Sequence, residues 1–154
     1  MRACIQRVAR AAVDIGGRQH ATISRGLVVL LGVGPADQSA DSDWLAGKIA
    51  RLRIFPDERG LMRHSVIDLG LEVLVISQFT LYADTHGGNR PSFTGAAKPE
   101  LAIPLYEGFC AALTTQLQRP IATGVFAADM QVELVNDGPV TIWIDSAERG
   151  KPAS

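Results

Sequence analysis

Polar and apolar positions alternate from the start of the chain. Ala3, Ile5 and the stretch from Val8 to Val13 are small or β-branched, which predicts strand. Gly16-Gly17 supplies a tight hairpin turn, and Ala21 to Ser24 reads as the returning strand. Leu27 to Val33 is a continuous apolar run beside glycines, the pattern of a strand buried on both faces. Asp37 to Asp43 then offers helix caps, and Leu45, Ile49 and Leu52 follow at i, i+4 and i+7 as a helical stripe. Ile54-Phe55-Pro56 is short and extended, Asp57 to Gly60 is a turn, and Glu72 to Gln78 is the clearest central strand. Asp84 to Pro91 is a loop. Pro99 to Gln118 predicts a second helix with Leu101, Leu105, Phe109, Leu113 and Leu117 along one side. Pro104 either opens that helix or kinks it. Two strands follow, Gln131 to Val135 and Val140 to Asp145, joined by a turn over 136–139. Many strands with two helices, not alternating as β-α-β, argue for an α+β fold. It forms one domain over residues 1–146, and the polar tail from Ser146 onward reads as frayed, flexible over 147–154.

Composition narrows the function. The 154 residues suit a single domain, and 47% hydrophobic with 20% charged residues allows a packed core and rules out a disordered chain. Fifteen Lys and Arg against sixteen Asp and Glu leave a net charge of -1. That excludes a broad nucleic-acid coat but leaves room for a basic patch touching one end of an RNA. Lys48, Arg51 and Arg53 fall at the C-terminal end of the first predicted helix. They read as a solvated face favoured by the helix dipole, in preference to a phosphate-facing patch. Cys4 and Cys110 form no disulfide framework and read as small buried hydrophobes. His20, His64 and His86 have no metal-ligand spacing. No metal and no cofactor are expected. The N-terminus has no apolar signal core and no run is long enough to span a bilayer, so the expectation is a soluble, cytoplasmic protein with no membrane partner.

Familiar catalytic motifs are missing: no G-x-S-x-G elbow, no P-loop, no H-E-x-x-H. Gly32-Val33-Gly34-Pro35 lacks the glycine spacing of a dinucleotide loop. The acid pairs Asp57-Glu58 and Asp41/Asp43 sit in turn and cap contexts. Two segments remain. Ser77-Gln78-Phe79-Thr80-Leu81 closes an apolar strand with polar groups, where binding groups sit on rigid elements; those groups serve equally well as backbone partners at a strand end. Asn136 to Thr141 is a polar Gly-Pro turn which, from spacing alone, reads as a plain hairpin connection.

Taken together, the two segments look different. MRACIQRV at 1–8, LRIF at 52–55, SQFTLYAD at 77–84, NRPSF at 89–93, ADMQV at 128–132 and NDGPVT at 136–141 resemble the D-aminoacyl-tRNA deacylase family. The resemblance covers nearly the whole chain, with the motifs in family order. It departs at His64, where the family more often has an apolar residue, and in the His86 to Asn89 loop, which is less basic than usual.

The resemblance implies a homodimer of barrel-like packed sheets and helices, with active sites at the subunit interface. It implies hydrolysis of a D-amino acid, or glycine, from the 3′-terminal adenosine of a tRNA; no DNA partner is implied. Gly138 and Pro139 would be the family's Gly-cis-Pro pair, reaching into the partner's pocket to exclude L side chains, with Arg7 as its brace. Ser77, Gln78, Phe79 and Thr80 would line the other side, and Met130 would border the adenosine. Thr80 is a tempting nucleophile, but no base stands near it in sequence. The resemblance implies instead that the ribose 2′-hydroxyl assists the attacking water, leaving the role of Thr80 open. Two rivals remain at this point. A non-catalytic module that captures an amino-acid-like ligand or an RNA end accounts equally for the missing acid and base. A Ser/Thr hydrolase would need a base.

Overall fold

The computed structural model describes residues 1–150. Strand β1 (Arg2–Ile15) turns at Gly16-Gly17 into β2 (Arg18–Ile23), and β3 (Gly26–Gly32) continues beyond it. Both turn glycines have positive φ, 57° and 75°, as a two-residue hairpin of this hand requires. β2 and β3 lie end to end along one edge of β1, because Ala11 faces Ile23 and Val8 faces Gly26.

Helix α1 (Ser39–Ala50) follows, capped where Asp41 reaches back to accept the Gln38 N–H at 3.0 Å. A small antiparallel pair, β4 (Phe55–Pro56) and β5 (Met62–His64), leads to β6 (Glu72–Ser77), which runs parallel to β3. Helix α2 (Pro99–Leu117) starts at Pro99 and carries Pro104 inside it. β7 (Ala122–Thr123) joins β6 in parallel, and β8 (Met130–Asp145) lines the remaining edge of β1. The mixed sheet curls into a nearly closed barrel, and the α+β class with two main helices is as the sequence predicts.

Strand alternation divides the core in two. Leu27, Val29 and Leu31 of β3, with Val73 and Val75 of β6, face the helices. Val28, Leu74 and Ile76 face the other way, onto Val8, Val13 and Ile23. Both apolar runs therefore bury both faces, for the reason their pattern suggested.

Three expectations change. The two final strands are one, since both halves of β8 pair antiparallel with β1. Val8 faces Asn136 and Gln6 faces Thr141, so two steps on β1 match five on β8. The Gly-Pro segment is therefore an outward bulge in a continuing strand, not a hairpin. A hairpin would fold the second half onto the first, whereas β1, at 14 residues, offers both halves one partner. Second, Leu101 is not on the buried side of α2; that side runs through Ala102, Leu105, Tyr106, Phe109, Leu113 and Leu117. Third, Ser146 is buried in a 3₁₀ turn (Ser146–Glu148): its N–H donates to the Met1 carbonyl at 2.7 Å, and its hydroxyl accepts from the Met1 ammonium. Residues 151–154 of the predicted tail lie outside the described residues.

Candidate active site

β6 ends at Ser77, and the chain folds at once into a 3₁₀ turn, Phe79–Tyr82. The turn is anchored on β3 and β1: the Gln78 N–H donates to Leu31 O at 2.7 Å, and Arg2 Nη1 donates to Leu81 O at 3.0 Å. Gly32 makes the packing possible, since a Cβ there would lie 3.0 Å from Gln78 O and 3.2 Å from Leu81 Cβ. Arg2 also sits over the Tyr82 ring, 4.3 Å from its centroid. Burial and then the Asp37 carboxylate hold the Tyr82 hydroxyl well above the ordinary phenol range.

Beside this turn opens a cavity of about 1220 Å³. Ser77, Gln78 and Phe79 line it from the strand end, Tyr106 from α2, and Met130 from the start of β8. Phe79 and Phe93 meet edge to face at its rim, 5.2 Å between centroids, and are 57% and 39% exposed. Aromatic rings this open are available for contact with a ligand or a second subunit. Thr80 sits next to the cavity without lining it, and Gln78 Nε2 donates to its Oγ1 at 2.5 Å. An amide cannot accept a proton at neutral pH, so Thr80 has no base in this arrangement.

The other titratable groups supply none. No histidine lines the cavity; His86 pairs with Asp84 at 2.7 Å on an exposed loop. Tyr106 donates its hydroxyl to Val75 O at 3.1 Å, and burial holds its pKa well above the usual phenol value. Burial pushes the Cys110 thiol up to about 11, and this cysteine does not line the cavity. Cys4 and Cys110 are both free and only half-buried. Among the described residues no cluster of His, Cys, Asp and Glu is arranged to hold a metal.

Gly138 and Pro139 stand elsewhere. Their peptide bond is cis, both residues are exposed, and Gly138 has φ 136°, a region L side chains rarely adopt. Arg7, only 7% exposed, grips the bulge from beneath. Its Nε donates to Asp137 O at 2.9 Å and pairs with the Asp137 carboxylate at 3.3 Å, while Nη1 donates to Ile54 O at 2.6 Å. Asn136 spans the bulge, accepting the Val140 N–H on Oδ1 at 2.9 Å and donating Nδ2 to Thr141 at 3.2 Å.

The predicted residues thus fall into two groups. Ser77, Gln78, Phe79 and Met130 share the cavity, with Thr80 adjoining it; Arg7, Gly138 and Pro139 form a separate braced turn. On β3, Leu27 faces Arg7 while Leu31 faces Ser77. Four residues of strand separate those two levels of the sheet by roughly 13 Å. Phe93, Tyr106, Asn136 and Asp137 belong to these groups although the sequence reading assigned them no site role. Phe93, Asn136 and Asp137 were within reach, since each lies in a family-like motif, at 89–93 or 136–141.

The model of the family described as D-Tyr-tRNA(Tyr) deacylase matches residues 4–145. The chain belongs to that family. A D-aminoacyl-tRNA deacylase of Lacticaseibacillus casei is 58% identical over 146 residues, covering 95% of this chain and 98% of the relative. That of Cytophaga hutchinsonii is 56% identical over 149 residues, covering 97% and 99%. Among solved structures, a c-Myc DNA Unwinding Element Binding Protein superposes with TM-score 0.88 at 40% identity, over 99% of this chain and all of the other. A probable eukaryotic D-amino acid tRNA deacylase shares the fold, with TM-score 0.80 at 13% identity over 93% and 97% of the two chains. Membership in the D-Tyr-tRNA(Tyr) deacylase family bears out the resemblance drawn from the motifs.

Proposed function

We propose that this protein is a D-aminoacyl-tRNA deacylase that works as a homodimer, each Gly138-Pro139 turn completing the cavity of the other subunit. The observation that carries this reading is the turn itself. It is exposed, yet held by a buried arginine, and none of its residues lines its own cavity. Loops without a task are seldom braced so firmly; a rigid backbone edge suits stereochemical selection. Carbonyls of the turn would occupy the space an L side chain needs, while a D side chain points away and glycine has nothing to reject. The same logic extends the substrate class to glycyl-tRNA.

Hydrolysis needs no protein base on this reading. Water adds to the ester carbonyl, the bond to the ribose 3′ oxygen breaks, and that oxygen leaves with a proton. The neighbouring 2′-hydroxyl orients the water and relays the proton. The chain contributes position and electrostatics. Phe79 and Thr80 open the 3₁₀ turn, so their N–H groups have no carbonyl to meet within it and are available to the developing oxyanion. A single such donor is typically worth about 10²–10³ in rate. Met130, at the cavity edge, would border the terminal adenosine.

The test is cleavage of matched D- and L-tyrosyl-tRNA by the parent and by Gly138→Ala. A Cβ at Gly138 would lie 2.7 Å from Val140 Cγ2, 2.9 Å from Arg7 Nη2 and 3.0 Å from the Val140 nitrogen. The turn must shift, and activity on every substrate should fall. An unchanged D/L ratio and rate for a folded Gly138→Ala would sink the assignment. So would sedimentation showing a fully active monomer.

A further inference from the structure

A second cleft, of about 510 Å³, opens at the C-terminal end of α1. Lys48, Arg51 and Arg53 line it, all exposed, and none forms an ion pair among the described residues. Asp43 shares the cleft, leaving three cations against one carboxylate. Asp68 feels Arg53 only weakly, behind its hydrogen bonds from Ser65 and the charge of His64.

The cleft is more organised than a solvated helix face. Gln116 Oε1 accepts from Arg51 Nη1 at 2.5 Å, orienting the guanidinium with a neutral partner that leaves its charge intact. The guanidinium lies close over Gly47, where a Cβ would stand 2.9 Å from Arg51 Nη2. Trp44 borders the cations, with the Arg149 guanidinium 6.0 Å from its ring centroid. Cations beside an aromatic ring are the composition of grooves that track a nucleic-acid single strand.

Position decides the ligand. Arg53 immediately precedes Ile54, whose carbonyl is held by the same Arg7 guanidinium that holds Asp137. The Arg53 end of the cleft is therefore linked through Arg7 to the Gly138-Pro139 turn. We propose that this cleft binds phosphates of the tRNA 3′ strand whose aminoacyl end lies against the turn, an inference that rests on the reading above. Guanidinium groups match phosphate oxygens two at a time, and Lys48 adds a point charge.

The experiment compares the parent with the double variant Lys48→Gln, Arg53→Gln on two substrates, D-tyrosyl-tRNA and D-tyrosyl-adenosine. Both side chains are exposed, so the fold is not at stake. For the tRNA, KM should rise about tenfold or more at about 0.1 M salt with kcat unchanged. The slope of log K against log[salt] should flatten by roughly 1.4, since each single-strand contact contributes about 0.7. D-tyrosyl-adenosine has no such strand and should be cleaved alike by both proteins. An unchanged KM and salt slope for the tRNA overturns the proposal. An equal loss on both substrates also overturns it, because the cleft would then be acting on the cavity itself; the D/L ratio of Gly138→Ala tests the turn independently.

Discussion

Replacing Arg7 with methionine removes three interactions at once while keeping most of the side chain's apolar stem. The bond to Ile54 O is buried, so its loss leaves a carbonyl without water; a charge-assisted bond of this kind is worth about 1.5–3 kcal/mol. Asp137 O is only partly buried, and water can replace the donor there, which limits that loss to about 1 kcal/mol. The Asp137 carboxylate has 39% of its side chain exposed, so screening holds the ion pair to about 1 kcal/mol or less. Together these give a loss of about 2.5–5 kcal/mol for Arg7→Met. Arg7→Lys keeps the charge but cannot serve two carbonyls as a fork, so about half that loss is expected. Urea unfolding at one fixed protein concentration reads both values, since a dimer's stability depends on concentration. The D/L cleavage ratio of each variant should fall in the same order as its stability. Arg7→Met unfolding within about 0.5 kcal/mol of the parent, with unchanged slope and unchanged D/L ratio, would refute the bracing role.

Two further outcomes are expected. Thr80→Ala should stay within about tenfold of the parent, whereas removing a true nucleophile costs about 10⁴ or more; the companion measurement uses tRNA ending in 2′-deoxyadenosine, and cleavage at the normal rate would end the substrate-assisted mechanism. Cys110, with its thiol pushed up to about 11 by burial, remains protonated at neutral pH, so alkylation should be slow at pH 8, speed up as pH rises toward 11, and become ordinary in urea; fast labelling of the folded protein at pH 8 would contradict the burial argument.

The parts of the fold legible in sequence were those governed by local rules. β3 and β6 announced themselves because both of their faces are buried, and the Gly16-Gly17 turn because few residues accept positive φ. Leu101 was misplaced because an apolar residue at the helix start fits the spacing whether or not a core lies beneath it. The β8 bulge was misread because a Gly-Pro turn looks the same whether the chain reverses or continues. What decides it is the partner, and β1 is more than a hundred residues away in sequence. Of the site, the residue identities were carried by the motifs, but their separation into two groups depends on pairing register, which no local pattern encodes. Lys48, Arg51 and Arg53 read as a solvated face because the Gln116 and Gly47 contacts of Arg51 cannot be seen in a linear string.

The pairing of β1 with β8 also sets an order of events at the ribosome. One edge of β1 is covered as soon as β2 and β3 emerge, while the other waits for the last of the described strands to be made. At ordinary translation rates that interval is roughly 5–20 s. Through it the nascent chain carries a bare strand edge, the kind of surface that recruits stray partners and chaperones. Arg7 precedes its partner Asp137 by 130 residues, so the brace and the turn it supports meet only after the intervening strands and helices have been made. On the proposed reading, a polypeptide that lacks β8 has no selective edge to offer.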